Sequence, residues 1–260
     1  MLSIHWVHNT FRNWLATTFL GKIARNFPIQ EAPASICFVA ATRLGESEFW
    51  AQSPLGLGLQ PLLSNQTIST QITFNNSEGL PTVYNRAIRE SKDNEILVFL
   101  HDDIWLEDQD FIQKIRTASK RYDIVGVAGN TRISKFQPAW LFRSIDNGRF
   151  TWDSEYLSGS VRHGTPGQSA PAMYGPTPAR CELMDGVFLA GRRRTLLRSK
   201  VFYDEQFRFH FYDMDFCRTA RRAGLSLGTW PLDILHVSRG AFGSPGWKEG
   251  YAIYFKKWKN

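Results

Sequence analysis

The sequence predicts an α/β chain built on a mostly parallel central sheet flanked by helices. Three observations carry this. Short apolar runs recur between residues 35 and 129, amphipathic stretches of helical period lie between them, and 43% hydrophobic with 14% aromatic side chains over 260 residues can bury one large core or two small ones. Strands alternating with helices of this length imply crossover units, and such sheets bind ligands beyond the carboxyl ends of their strands.

Residues 1–34 form an amphipathic amino-terminal segment. Phe11, Leu15, Phe19, Ile23 and Phe27 recur every four residues beside Trp14, with Arg12, Lys22 and Arg25 and no acidic residue before Glu31. A basic interfacial helix has this pattern, and so does a helix docked on its own domain. Next, SICFVAA (35–41), STQITF (69–74), EILVFL (95–100) and DIVGVAG (123–129) read as strands. Leu80, Val83, Tyr84, Ala87 and Ile88 mark one helical face, and Phe111, Ile112, Ile115 and Ala118 another. The alternation stops after Gly129. Residues 130–180 carry Trp140, Trp152 and HGTPGQSAPAMYGPTPAR (163–180), a composition expected of a functional loop or a disordered segment. Regular structure resumes at ELMDGVFLAG (182–191), and FYDMDFCRTARRAGLSLGTW (211–230) reads as loop, helix with an acidic first turn, Gly224 past its end, and a last strand. Residues 241–260 form an aromatic-basic tail that includes Tyr251, Tyr254, Phe255 and Trp258.

Lys+Arg 31 against Asp+Glu 24 gives a formal charge of +7, which suits an anionic partner such as a nucleotide, nucleic acid or membrane surface. Cys37, Cys181 and Cys217 are odd in number and far apart, which argues against a disulfide scaffold and a zinc cluster and fits a reducing cytoplasm. No stretch approaches the ~20 apolar residues of a membrane span, and residues 1–30 lack the pattern of a cleaved signal, so secretion is not expected. There is no Walker loop, HExxH or GxSxG, and Gly56-Leu57-Gly58 lacks the third glycine of a dinucleotide fingerprint. The run Arg192-Arg193-Arg194 reads as a solvated basic turn more readily than as a phosphate grip.

Three constellations bear on chemistry. Asp102 and Asp103 follow the apolar run that ends at Leu100. Two carboxylates at a strand's carboxyl edge repel each other, and a hard divalent cation makes such a pair favourable; a turn cap beside a solvated carboxylate is the structural alternative. Asp213 and Asp215 open a helix, where a carboxylate can cap or serve as a general base. His236 follows an apolar pair, and a lone histidine is more often structural than a ligand.

In order along the chain, these segments resemble an inverting glycosyltransferase of family 2 with the GT-A fold. FNNSEGLPTVYNRAIRESKDNEILVFLHDDIWL (74–106) is similar to that family's run from a Gly-Leu-Pro helix into the strand ending at its DxD metal motif. MDGVFLAGRR (184–193) resembles the segment beside the donor-sugar pocket, and FHFYDMDFCRTARRAGLSLGTWPLDILHVS (209–238) resembles the catalytic-base motif, the following helix and the later histidine. The likeness covers about residues 35–240, the expected catalytic domain, and leaves the amino-terminal helix and 130–180 unexplained.

The resemblance implies roles residue by residue. Asp103 takes the last acidic position of DxD and would bind a Mn2+ or Mg2+ ion bridging the donor diphosphate. Asp102 would touch metal-bound water or ribose, and His101 stands in place of the first Asp. Asp213 would be the base, with Tyr212 replacing the family's glutamate, and His236 would complete the metal site. Thr42 and Asn76 would lie at the nucleotide edge, Asp185 and Gly186 beside the donor sugar, and Trp140 in an acceptor-side loop region. Chemically, the metal stabilises charge on the leaving diphosphate, and one carboxylate suffices to deprotonate an attacking hydroxyl with inversion. No acid is needed for the leaving group, unlike in glycoside hydrolysis.

The expectation is a cytoplasmic enzyme, peripheral on the inner membrane face if residues 1–34 bind there. It would use a nucleotide-sugar donor, a UDP-sugar foremost, and a carbohydrate or glycolipid acceptor in cell-surface polysaccharide or glycolipid synthesis. An anionic membrane surface is a candidate partner, and nucleic acid is not expected. The alternatives are a sugar-phosphate nucleotidyltransferase, whose Gly-rich, Arg-containing loop is here ATRLGESEFW, and a non-catalytic basic module for membrane or nucleic acid.

Overall fold

The computed structural model describes residues 34–238 and 240–259, so the amphipathic face of residues 1–33 lies outside the described residues. Strands β1 (Ser35–Ala41), β2 (Ile68–Thr73), β3 (Glu95–Leu100) and β5 (Ile124–Gly126) form where the apolar runs predict, with short β4 (Ile104–Leu106) and β6 (Ala128–Asn130) after β3 and β5. Helices α1 (Glu46–Gln52) and α2 (Pro54–Leu59) follow β1; α3 (Leu80–Glu90) and α4 (Phe111–Arg121) follow β2 and β4. The predicted helical faces are the buried ones. Val83, Tyr84, Ala87 and Ile88 of α3, and Phe111, Ile115 and Ala118 of α4, join one core with β1 and β3.

The remaining elements are β7 (Phe142–Asp146), β8 (Arg149–Trp152), β9 (Leu157–Thr165), β10 (Gln168–Gly175), β11 (Ala179–Cys181), β12 (Leu183–Met184) and β13 (Phe188–Arg192). After them come α5 (Arg193–Arg198), α6 (Tyr212–Arg222), β14 (Leu227–Thr229), β15 (Ile234–His236) and α7 (Pro245–Trp258).

The main sheet has the order β11-β14-β5-β13-β3-β1-β2 and is mixed, which corrects the expectation of a mostly parallel one. The β1/β2, β1/β3 and β14/β5 pairs are parallel; β13 runs antiparallel to β3 and β5, and β11 to β14. The cause lies just upstream of β13. Strand β12 pairs with β6, which continues past the carboxyl end of β5, so the chain enters β13 from the carboxyl edge through Asp185-Gly186-Val187 and can only run back.

Residues 131–141 are a loop, as expected, but 142–180 are mostly strand. Thr165 pairs with Gln168 across Pro166-Gly167, and Gly167 takes φ +79°, so the Pro-Gly dipeptide is a hairpin turn between β9 and β10. The second sheet has the order β12-β6-β9-β15-β4 with β10 on β9, and it stands against the carboxyl edge of the first. The tail also has regular structure. Ser244 Oγ accepts from Trp247 N at 3.3 Å with Pro245 in the first turn, and α7 buries Trp247, Tyr254 and Trp258. Arg193 is structural: it ion-pairs with Asp93 and donates to the carbonyls of Ile88 and Arg89, closing the end of α3. Among the described residues, no helix is long and apolar enough to cross a membrane.

Candidate active site

Strand β3 is buried along its whole length, so its first accessible polar side chains come at His101, Asp102 and Asp103, on the carboxyl edge. Strand β4 starts one residue later and pairs with β15 in a register that sets His236 opposite Ile104; Val237 N–H donates to Asp103 O at 3.1 Å. This register lays two distant sequence segments side by side. His236 Nε2 is 3.3 Å from Asp103 Oδ2, and His101, Asp103 and His236 can each place a ligand atom within 4.8 Å of the others.

The second oxygen, Asp103 Oδ1, is buried and has no hydrogen-bond partner among the described residues. A buried carboxylate oxygen costs free energy unless something satisfies it, and a divalent cation held between two imidazoles and this carboxylate would do so. Burial pushes the Asp103 carboxyl up, but the hydrogen bond and charge of His236 outweigh it and hold it well below the usual carboxylate range. Burial also works against charge on His236, and Asp103 reverses the balance and raises it. Burial lowers His101, with Asp103 opposing and His236 adding, so His101 is a neutral imidazole, the form that binds metal. Asp102 is outside this trio.

The second half of the site comes from α6. Its first residue follows Phe211, whose φ of +66° is unfavourable for a bulky side chain and is held by packing against Trp247, Tyr251 and Tyr254. The kink aims Tyr212 and Asp213 at the Asp185-Gly186 turn. Asp213 Oδ2 accepts from Gly186 N at 2.9 Å and Oδ1 from Met214 N at 2.8 Å. Burial pushes the carboxyl up to about 7, with the charge of Asp185 adding and the two backbone N–H groups opposing. A carboxylate at that value can take a proton near neutrality. Gly186 is required by close approach: a Cβ there would lie 2.7 Å from Asp213 Cβ and would also strike the Tyr212 hydroxyl.

Two clefts meet at Phe209, whose half-exposed ring stacks on His101 at 5.6 Å and lines both. One, of about 830 Å³, lies over the ends of β1 and β2 and is lined by Thr42, Arg43, Asn76, Asp102, Asp103 and Arg208. Thr42 O accepts from Asn76 N at 2.8 Å, which joins the two strand ends, while the Asn76 side chain is engaged with Glu78. The other, of about 630 Å³, holds His101, Asp185, Gly186, Tyr212, Asp213 and His236 at one side and Trp140, Phe142, Trp152 and Phe242 at the other. The buried Trp140 ring meets Tyr174 edge-on at 5.0 Å.

Every residue to which the resemblance gives a role lines one of the two clefts. Sequence reasoning missed His101 as a member of the trio with Asp103 and His236, because it reads there only as a departure from DxD. It also missed Arg43 and Arg208, cations in the first cleft for which no carboxylate partner is seen among the described residues. Nothing in their local pattern marked them. Asp215 has a different role: it is fully buried, accepts from Trp258 Nε1 at 2.7 Å and pairs with Lys257 at 2.8 Å, which fastens α7 to α6.

A family model described as "Glycosyltransferase like family" matches residues 62–233. No curated protein matches the chain. Among solved structures, GalNAc-T7 with UDP, GalNAc and Mn2+ aligns over 88% of this chain and 49% of its own, at 12% identity and a TM-score of 0.48, so the chain spans about half of that protein's length. The mannosyltransferase PcManGT from Pyrobaculum calidifontis, in complex with GDP-Man and Mn2+, aligns over 97% of this chain and 72% of its own, at 12% identity and a TM-score of 0.45. S. aureus TarS 1–349 in complex with UDP aligns over 78% and 60%, at 11% identity and a TM-score of 0.39.

Proposed function

The chain belongs to the glycosyltransferase-like family, and on that premise we propose that it is a metal-dependent inverting transferase moving a sugar from a nucleoside diphosphate, UDP foremost, to an acceptor hydroxyl. One observation carries the reading: a carboxylate raised to about 7, Asp213, stands in the same cleft as His101 and His236, the imidazoles of a trio that suits a divalent cation. The first cleft takes the donor. Thr42, Asn76 and Asp102 border the nucleoside, and Arg43 and Arg208 face its diphosphate. A bound Mn2+ or Mg2+ ion, held by His101, Asp103 and His236, would supply positive charge against the leaving diphosphate. Asp185 and Gly186 border the sugar.

The second cleft takes the acceptor, a carbohydrate or glycolipid, against Trp140 and its aromatic neighbours. Asp213 accepts the hydroxyl proton as the oxygen attacks the anomeric carbon, and the bond to the phosphate breaks on the opposite face, which inverts the centre. No second carboxylate is needed, because a diphosphate leaves without protonation.

A thermal-shift panel of nucleotide sugars with and without manganese tests the reading, since a ligand that binds only the folded chain raises its apparent stability. The expected result is stabilisation by a UDP-sugar that depends on manganese. No response to any nucleotide or metal would leave the basic binding module as the better reading.

A further inference from the structure

A row of rings runs from the acceptor-side cleft onto the far surface of the carboxyl-terminal helix. Trp247, in the wall of that cleft, stacks on Tyr251 at 5.3 Å and 14°; Tyr251 meets Phe255 at 6.2 Å, and Phe255 meets Phe136 at 5.1 Å. Phe136 stands in the loop after β6 at φ +63°, half exposed, and its carbonyl accepts from Tyr251 Oη at 3.0 Å, which ties loop to helix. The row ends in a separate groove of about 230 Å³ that Lys135, Arg218 and Lys259 line together with Phe136, Tyr251 and Phe255.

Among the described residues, no aspartate or glutamate lines that groove. Several cations nearby in sequence are paired with carboxylates: Lys257 with Asp204 and Asp215, Arg132 with Asp153, and Arg221 with Glu182. Here cations lie on aromatic faces instead. Arg218 and Arg222 sit 4.5 and 4.1 Å from the Trp258 ring centre, and Lys135 lies 4.9 Å from that of Phe136. Lys135, Lys256 and Lys259 are exposed.

From this arrangement we propose that the outer face of α7 and the Lys135–Phe136 loop form a docking surface for an anionic lipid bilayer. Phe136 and Phe255 would enter the headgroup layer while the surrounding lysines and arginines meet lipid phosphates. Single-stranded nucleic acid also uses rings and cations, but it needs ring faces free to take bases. Here Trp247 and Tyr251 stack on each other, and Phe136 and Phe255 are in mutual contact. Because the row begins at Trp247, docking by this face would set the mouth of the acceptor-side cleft near the lipid surface. The proposal goes beyond the transferase reading and does not need it.

Sedimentation of the full chain with phosphatidylglycerol-containing vesicles, and with phosphatidylcholine vesicles alone, tests it. The expected result is binding to the anionic vesicles that weakens with salt. It should fall about tenfold in Phe136→Ser and in the exposed pair Lys135→Glu with Lys259→Glu, which alters no buried packing. An unchanged circular dichroism spectrum and thermal midpoint in both variants report folding without any ligand, so the outcome stands whether or not UDP and manganese bind and the two readings stay separable. Three results would overturn the proposal: no binding of the unaltered chain to anionic vesicles, undiminished binding by the folded variants, as when residues 1–30 carry the attachment, or preference for a single-stranded oligonucleotide over vesicles.

Discussion

His101 Nε2 lies 2.9 Å from Tyr212 Oη, a contact that joins the His101-Asp103-His236 trio to the start of α6. Its polarity follows from valence. Tyr212 donates its one proton to Gly186 O at 2.8 Å, since a carbonyl can only accept, so it must accept from His101. The ring proton of a neutral His101 is thereby on Nε2, and Nδ1 keeps the lone pair a cation needs. Tyr212 occupies the position where the family resemblance expects a glutamate, and its hydroxyl bridges His101 and the Gly186 carbonyl.

Tyr212→Phe should accordingly leave the Gly186 carbonyl and the His101 N–H unpaired. The expected cost is about 1–3 kcal/mol of stability and a roughly tenfold loss of manganese-dependent UDP affinity, measured by denaturant unfolding and calorimetry. Unaltered metal affinity in the folded variant would remove the orienting role.

Asp213 must be ionised to accept a proton, and its carboxyl is pushed up to about 7 by burial, with Asp185 adding. Rising pH through that value increases the active fraction, so kcat/KM should climb to a plateau above about 7 and fall about tenfold per unit well below it. Asp213→Asn should bind metal and UDP normally while transfer, followed by nucleoside diphosphate release, drops roughly 10²–10⁴-fold. Near-normal turnover in a folded variant removes Asp213 as the base.

Asp103→Asn and His236→Ala should differ in degree. The carboxylate brings negative charge and an otherwise unsatisfied oxygen to the site, and the imidazole brings only a lone pair. Calorimetric titration with manganese and UDP is expected to show the larger loss for Asp103→Asn. An undiminished affinity in His236→Ala would make that histidine a structural partner of Asp103.

Asp215 is two residues from Asp213, yet its substitution should read out in stability rather than turnover. Asp215→Ala strands the buried Trp258 N–H and removes one of two carboxylates from Lys257. A loss of about 1–3 kcal/mol is expected, with the thermal response to UDP and manganese retained below the new midpoint. A turnover defect without a stability defect would move Asp215 into the reaction.

What the sequence determined by itself was local and periodic. Uninterrupted apolar runs become β1 and β3 to the residue, the spacing of Val83, Tyr84, Ala87 and Ile88 sets a buried helix face, and acidic residues with Gly224 bracket α6, because burial and capping act over a few residues. Asp103, Asp213 and His236 stood out for the same reason: each sits at the edge of such an element. The tertiary structure alone decided what depends on distant pairing. The reversal of β13 follows from β12 pairing with β6, a contact between residues 129 and 184 that no window spans. The Pro166-Gly167 turn is visible in the sequence, but only the register of β9 with β10 makes the segment sheet rather than loop. His101 joins the trio because β15 sets His236 against β4 beside it and because the hydroxyl of Tyr212, 111 residues away, holds its Nε2. Arg43 and Arg208 enter one cleft because loops after different elements end over the same strand edge. Charge and residue type are sequence properties, but the distance between two side chains is set by the fold, and the chemistry here depends on that distance.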